Sequence, residues 1–174
     1  DAITTGDFNT AIGLNAGTAL NTGANNTLVG ASAGSSLNSG NRNTFIGYEA
    51  GKTVDQGQRS VAIGYRALED EDATGYVVAI GYDALANQNA STNTYNVAVG
   101  YSAGRQITTG IYNTLVGGQA GEGLTTGGEN VAIGLNALRN EDTGNKNVAI
   151  GASALTALNY DGDESWSCNS IETD

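Results

Sequence analysis

The chain contains no histidine, no proline and no methionine, and only one cysteine, Cys168. Without histidine, the commonest general base and the commonest metal ligand are both missing. A lone cysteine cannot close an internal disulfide, and with no histidine to take its proton it is a poor nucleophile. Charge is scarce too: 14% of residues are charged, and 7 Lys and Arg stand against 18 Asp and Glu for a net charge of −11. That balance argues against nucleic acid and against anionic lipid, which both select basic surfaces. No apolar run reaches the roughly 18 residues of a membrane-spanning helix, so membrane insertion is not expected. The chain opens at Asp1 without a signal peptide and reads as a mature or truncated segment of something longer. The carboxylate runs Glu69-Asp70-Glu71-Asp72 and Glu141-Asp142 fall in turn-like segments, whereas a glycosidase needs two carboxylates facing one another across a cleft. Asp161-Gly162-Asp163-Glu164 lacks the ligand order of a calcium loop and reads as part of an acidic tail. Asn25 and Asn89 head glycosylation sequons, which matter only where a secretory system handles the chain. No catalytic residue, cofactor or metal site is expected.

Glycine, in contrast, is abundant and periodic. Nine aliphatic-Gly steps place Gly13, Gly30, Gly47, Gly64, Gly81, Gly100, Gly117, Gly134 and Gly151 at spacings of 17 residues, with one spacing of 19. Alanine follows three residues after every one of them, from Ala16 to Ala154. A short, strict period means stacked coils. The fold predicted is all-β, a parallel β-solenoid or β-roll of nine 17-residue coils over residues 1–158, followed by an acidic C-terminal cap or tail over 159–174.

Counting from the repeat glycine as zero, position −1 is Ile or Val and position −3 Thr or Val in every coil. Such β-branched alternation reads as one face of a strand. Position −2 is apolar as well, and its large members Leu28, Phe45 and Leu115 suggest a second buried face, hence self-association through them. Position −4 is Asn in seven coils: Asn9, Asn26, Asn43, Asn96, Asn113, Asn130 and Asn147. Stacked coils would set these amides in a ladder, each bonding the next. The half-coil after the glycine carries one large aliphatic residue from either of two places. Where position +4 is Gly (Gly17, Gly34, Gly51, Gly104, Gly121), position +7 is aliphatic; where +4 is Leu (Leu68, Leu85, Leu138), +7 is polar. That exchange predicts a core filled in layers; whether this half is a strand or a short helical turn stays open. The two extra residues fall in Ala86–Thr94, a polar stretch expected to loop out. Extending the 17-residue register puts Trp166 at −2 and Cys168 at zero, an aromatic placed to cap the stack or plug an interface.

The phrases Asn26-Thr27-Leu28-Val29-Gly30, Asn43-Thr44-Phe45-Ile46-Gly47-Tyr48-Glu49-Ala50-Gly51 and Asn130-Val131-Ala132-Ile133-Gly134 resemble the head repeats of trimeric autotransporter adhesins. They are also similar to repeats of phage tail-fibre-like proteins that end in an endosialidase-type chaperone domain. The resemblance implies a left-handed parallel roll, three chains about one axis, and a place on a bacterial or viral surface. The function expected is a non-catalytic structural or adhesive segment of an extracellular fibre. Its partners would be further copies of itself, as a trimer or secondarily an end-to-end filament, and a cell-surface glycan or protein receptor. Tyr76, Tyr95 and Tyr112 at position −5 of consecutive coils form the candidate binding strip. The alternative is an ice-binding solenoid, since Thr5, Thr22, Thr109, Thr126 and Thr143 outline a threonine row that Ser39, Gln56 and Ala73 interrupt.

Overall fold

A computed structural model describes residues 6–70, 75–156 and 169–171. Its elements are ten three-residue strands: β1 (Thr10–Ile12), β2 (Thr27–Val29), β3 (Thr44–Ile46), β4 (Val61–Ile63), β5 (Val78–Ile80), β6 (Val97–Val99), β7 (Thr114–Val116), β8 (Val131–Ile133), β9 (Val148–Ile150) and β10 (Asn169–Ile171). They form one parallel sheet in chain order. Pairing follows the repeat, with Thr27 against Thr44, Leu28 against Phe45 and Val29 against Ile46, and so on through β9. Each coil therefore supplies one strand to a β-solenoid, and no helix occurs among the described residues.

The repeat glycine ends each strand, and nothing else fits there. Gly64 has φ +137, and a Cβ on it would lie 2.3 Å from the Gly81 carbonyl oxygen of the next coil. The same φ region, +125 to +145, recurs in all nine coils. Beyond the glycine the backbone is neither strand nor helix. It turns through left-handed residues at +2, such as Glu49 (φ 56) and Arg66 (φ 52), and again at +4, where Gly51 has φ 58 and Leu68 φ 54.

Those turns explain the exchange of core residues and extend it to a third site. Positions −2, +3, +4 and +7 all point inward, and Leu28, Phe45, Val54, Leu68, Leu85, Ile107, Leu115, Leu124 and Leu138 are fully buried. A Cβ on Gly51 would sit 2.5 Å from the Phe45 ring, and one on Gly34 2.8 Å from Leu28. A large −2 side chain thus occupies the space that a +4 side chain would need. Coils with Leu at +4 (Leu68, Leu85, Leu138) have Ala at −2 (Ala62, Ala79, Ala132). Filling the layer from +4 puts a leucine in a left-handed conformation that costs about 1–2 kcal/mol. Filling it from −2 and +7 lets glycine take that conformation instead.

Two expectations about irregular segments need correction. The stretch Ala86–Thr94 does not loop out as a whole: Ala86, Gln88, Ala90 and Thr94 are buried, and the exposed residues alternate with them except at 91–93. Burying every second side chain keeps the strip packed on the coil while absorbing the insertion. At the C-terminal end, Asn169 pairs with Val148 and Ser170 with Ala149, so the chain rejoins the sheet within the segment expected to be cap or tail. Ser170, not Trp166, stands opposite Ala149; Trp166 and Cys168 lie outside the described residues.

The asparagine column turns inward. Asn26, Asn43, Asn96, Asn113 and Asn130 are almost completely enclosed, Asn147 is buried and Asn9 half-buried. From Asn9 to Asn130, Nδ2 donates to the carbonyl at −7 of the next coil: Asn9 to Gly23 at 2.8 Å, Asn43 to Gly57 at 2.7 Å, Asn113 to Gly127 at 2.9 Å. Over the same six asparagines Oδ1 accepts from the following coil's −4 amide, as Asn113 does from Asn130 N at 3.0 Å and Asn130 from Asn147 N at 2.9 Å. Where Ser60 and Val77 interrupt the column, Gln88 Oε1 supplies an acceptor for Asn96 Nδ2 at 2.7 Å. Asn113→Ala should cost about 2–4 kcal/mol, because it strands a buried carbonyl and a buried amide at once. Urea unfolding measures this, and a loss under 1 kcal/mol would contradict the ladder's role.

Candidate functional site

In β2 to β9 the middle residue of the strand is inside and its two neighbours are outside, whereas all three residues of β1 are exposed. Position −2 is the inside one, which corrects the expected self-association face. Leu28, Phe45 and Leu115 are 0% exposed and belong to the chain's own core, so they meet no partner. The reason is the strand's alternation: once the asparagine at −4 turns in to reach the next coil, −2 must follow it, and −3 and −1 must face out. Position −3, expected to be covered, is accordingly half-exposed in most coils, and Ile46, Val116, Ile133 and Ile150 at −1 are about 40% exposed.

The outward face is defined by three columns. Position −3 reads Thr10, Thr27, Thr44, Val61, Val78, Val97, Thr114, Val131, Val148, and −1 is Ile or Val throughout. Position +1 reads Leu14, Ala31, Tyr48, Tyr65, Tyr82, Tyr101, Gly118, Leu135, Ala152. None of these positions is charged in any coil, although the whole chain carries a net charge of −11. At about 4.8 Å per coil the face is roughly 40 Å long, and with its bordering columns about 20 Å wide.

Tyrosines stand along both borders. At +1, Tyr48, Tyr65, Tyr82 and Tyr101 form a continuous stack with centroids 5.3, 4.9 and 5.4 Å apart. The sequence pattern alone did not single out this row, although its signal is plain: each of these tyrosines directly follows a repeat glycine. At −5, Tyr76, Tyr95 and Tyr112 stack at 5.1 and 5.6 Å. Arg59 continues that row, with its guanidinium 5.2 Å from the Tyr76 ring centre and a hydrogen bond to the Tyr76 hydroxyl. Every −5 residue is left-handed, with φ between 54 and 64. Glycine or asparagine would hold that corner with less strain, yet the corner carries Arg42, Arg59 and three tyrosines.

Charge occurs at the −5 border, in Arg42, Arg59, Glu129 and Lys146, and on the opposite flank, in the turns. At +5, Lys52, Glu69, Arg105, Glu122 and Arg139 alternate in sign up the stack. Lys52 approaches Glu49 at 2.9 Å and Glu69 at 3.6 Å, and Glu122 lies between Arg105 at 3.5 Å and Arg139 at 3.0 Å. The hydrogen bond from Lys52 holds the Glu49 carboxyl below the usual carboxylate range. Its small contribution is therefore present at neutral pH and is lost only as pH falls through that lowered value. The carboxylates are largely covered and their basic partners about 40% exposed, so the pairs are half-buried. Glu141, which takes a core position, is fully buried and accepts from Gly144 N at 2.6 Å. Among the described residues no three acidic or cysteine side chains gather as metal ligands, and no helix is long and apolar enough to cross a membrane. Thr22, Thr109, Thr126 and Thr143 are exposed on a separate edge.

Comparison with protein-family models, curated proteins and solved structures finds no match.

Proposed function

We propose that this chain is a non-catalytic structural repeat segment of an extracellular fibre, on a bacterial surface or a phage tail, whose copies associate three to an axis through the uncharged sheet face. One observation carries the reading: in an acidic chain, three adjacent columns over nine coils hold only Val, Ile, Thr, Tyr, Leu, Ala and Gly. With its borders the face spans some 800 Å², about what one partner contributes to a standard protein interface. The extracellular setting rests on the repeat resemblance. A receptor glycan or protein would be met at the borders, where the tyrosines at −5 turn their faces to one another and so would offer mainly edges and hydroxyls.

The experiment is a pair of charges on the face. Ile63→Glu with Val97→Glu should convert the oligomer to monomer by light scattering while leaving circular dichroism unchanged, since both side chains point away from the core. A wild type that is itself monomeric at high micromolar concentration would refute the reading. The ice-binding alternative draws on the exposed threonine row of Thr22, Thr109, Thr126 and Thr143. A wild type with thermal hysteresis and no self-association would favour it.

A further inference from the structure

We infer that the two tyrosine rows are sites of oxidative coupling, where a one-electron oxidant ties each coil to the next through dityrosine. The inference stands apart from the self-association proposed above and holds for a single chain. All seven tyrosines among the described residues belong to one row or the other. The eighth, Tyr160, lies outside the described residues. Because each coil repeats the backbone of the last, tyrosines at one repeat position point the same way. Neighbouring rings are near parallel, 8° apart for Tyr65 and Tyr82 and 25° for Tyr76 and Tyr95. The carbon beside each phenol hydroxyl therefore stands roughly 5 Å, one strand spacing, from its counterpart in the next coil. Six of the seven rings are between 42% and 58% exposed, so an oxidant reaches them and each ring has room to turn about its Cβ–Cγ bond towards its neighbour.

The chemistry closes with a haem peroxidase and hydrogen peroxide as the oxidant. One electron and one proton leave each of two neighbouring phenols. The two phenoxyl radicals join by a carbon–carbon bond between the ring positions beside the hydroxyls. The hydrogens at those two positions then move to the phenol oxygens as the rings regain aromaticity. The peroxide takes up the two electrons and two protons and leaves as two waters. Competing sinks are few, since the chain has no methionine and no histidine, one tryptophan and one cysteine. Each link closes a loop of 17 residues, or of 19 where the insertion intervenes, as from Tyr82 to Tyr101. That is a constraint of the kind a disulfide imposes, in a chain whose single cysteine cannot form one within itself. The two rows lie on opposite borders of the sheet face, about 20 Å apart, so links run along a row and never across.

The test compares two variants with equal numbers of phenols, both in a Tyr160→Phe and Cys168→Ser background. Tyr65→Phe with Tyr95→Phe and Tyr101→Phe leaves Tyr48 and Tyr82 in one row and Tyr76 and Tyr112 in the other, every phenol two coils from the next. Tyr48→Phe with Tyr101→Phe and Tyr112→Phe leaves Tyr65 beside Tyr82 and Tyr76 beside Tyr95. Phenylalanine keeps every ring in its stack, so both variants retain the fold, which circular dichroism checks. Each is refolded as an equal mixture of ordinary and heavy-isotope-labelled chain and treated with peroxidase and peroxide. Dityrosine fluorescence and mass spectrometry of linked peptides are then read. The variant with adjacent phenols should give about tenfold or more dityrosine over the spaced one, in peptides joining 65 to 82 and 76 to 95 of the same isotope. Equal yields from the two variants would overturn the inference. So would links that join the two rows, or that join ordinary to labelled chain as often as chance pairing predicts.

Discussion

Gly64→Ala is expected to cost the chain 3 kcal/mol or more, about the upper end for a single residue held in a disallowed backbone conformation. Two effects add. The backbone at Gly64 has φ +137, which a residue with a Cβ rarely adopts, and the added carbon would lie 2.3 Å from the Gly81 carbonyl oxygen. The neighbour cannot yield, since Gly81 N is itself bonded to Ile63 O at 2.8 Å and is stacked in the same way on the next coil. Melting should fall by many degrees, and hydrogen exchange should speed most in the fourth and fifth coils. An alanine variant that melts within two or three degrees of the parent, as about 1 kcal/mol would give, would mean that the glycine column is not what sets the coil-to-coil distance.

Phe45→Ala should be comparably damaging, at about 3–5 kcal/mol for a large buried aromatic. Phe45 is the largest fully buried side chain described. The loss should be reversible in a specific way. Phe45→Ala with Gly51→Leu recreates the Ala and Leu pairing of the fourth and fifth coils, where Ala62 goes with Leu68 and Ala79 with Leu85. The double variant should regain at least half of what the single one loses. Gly51→Leu by itself should be worse than either, because the Phe45 ring would lie 2.5 Å from the new Cβ. Additive effects would show that the two sites do not share one space.

The contrast between these residues shows which features are legible in sequence and which are not. The stacked-coil fold is legible because a 17-residue period with an unchanging Ile/Val-Gly step leaves little room for any architecture but a solenoid. The direction of the strand is not. Positions −1 and −2 are both apolar, and alternation distinguishes two faces without saying which is inside. The large residues at −2 suggest a partner surface, whereas they fill holes left by glycine at +4. The link between −2 and +4 depends on the left-handed turn that aims +4 at the core, and that turn has no sequence signature where leucine occupies it. The −5 tyrosines stand out in the sequence because their position varies beside a nearly fixed strand. Tyr48, Tyr65, Tyr82 and Tyr101 at +1 do not, because they sit just past the strand end, where side-chain direction depends on the turn.

Each strand of the first nine touches only the strand before and the strand after it. The molecule is in that respect a ruler with graduations about 4.8 Å apart, because no contact between the described strands spans more than one division. Excising 17 residues and joining a coil to the next but one would shorten it by one graduation and leave every remaining contact type in place. Duplicating a coil would lengthen it by the same step. Length is then a quantity that replication slippage can adjust in whole units, without any compensating change elsewhere in the chain.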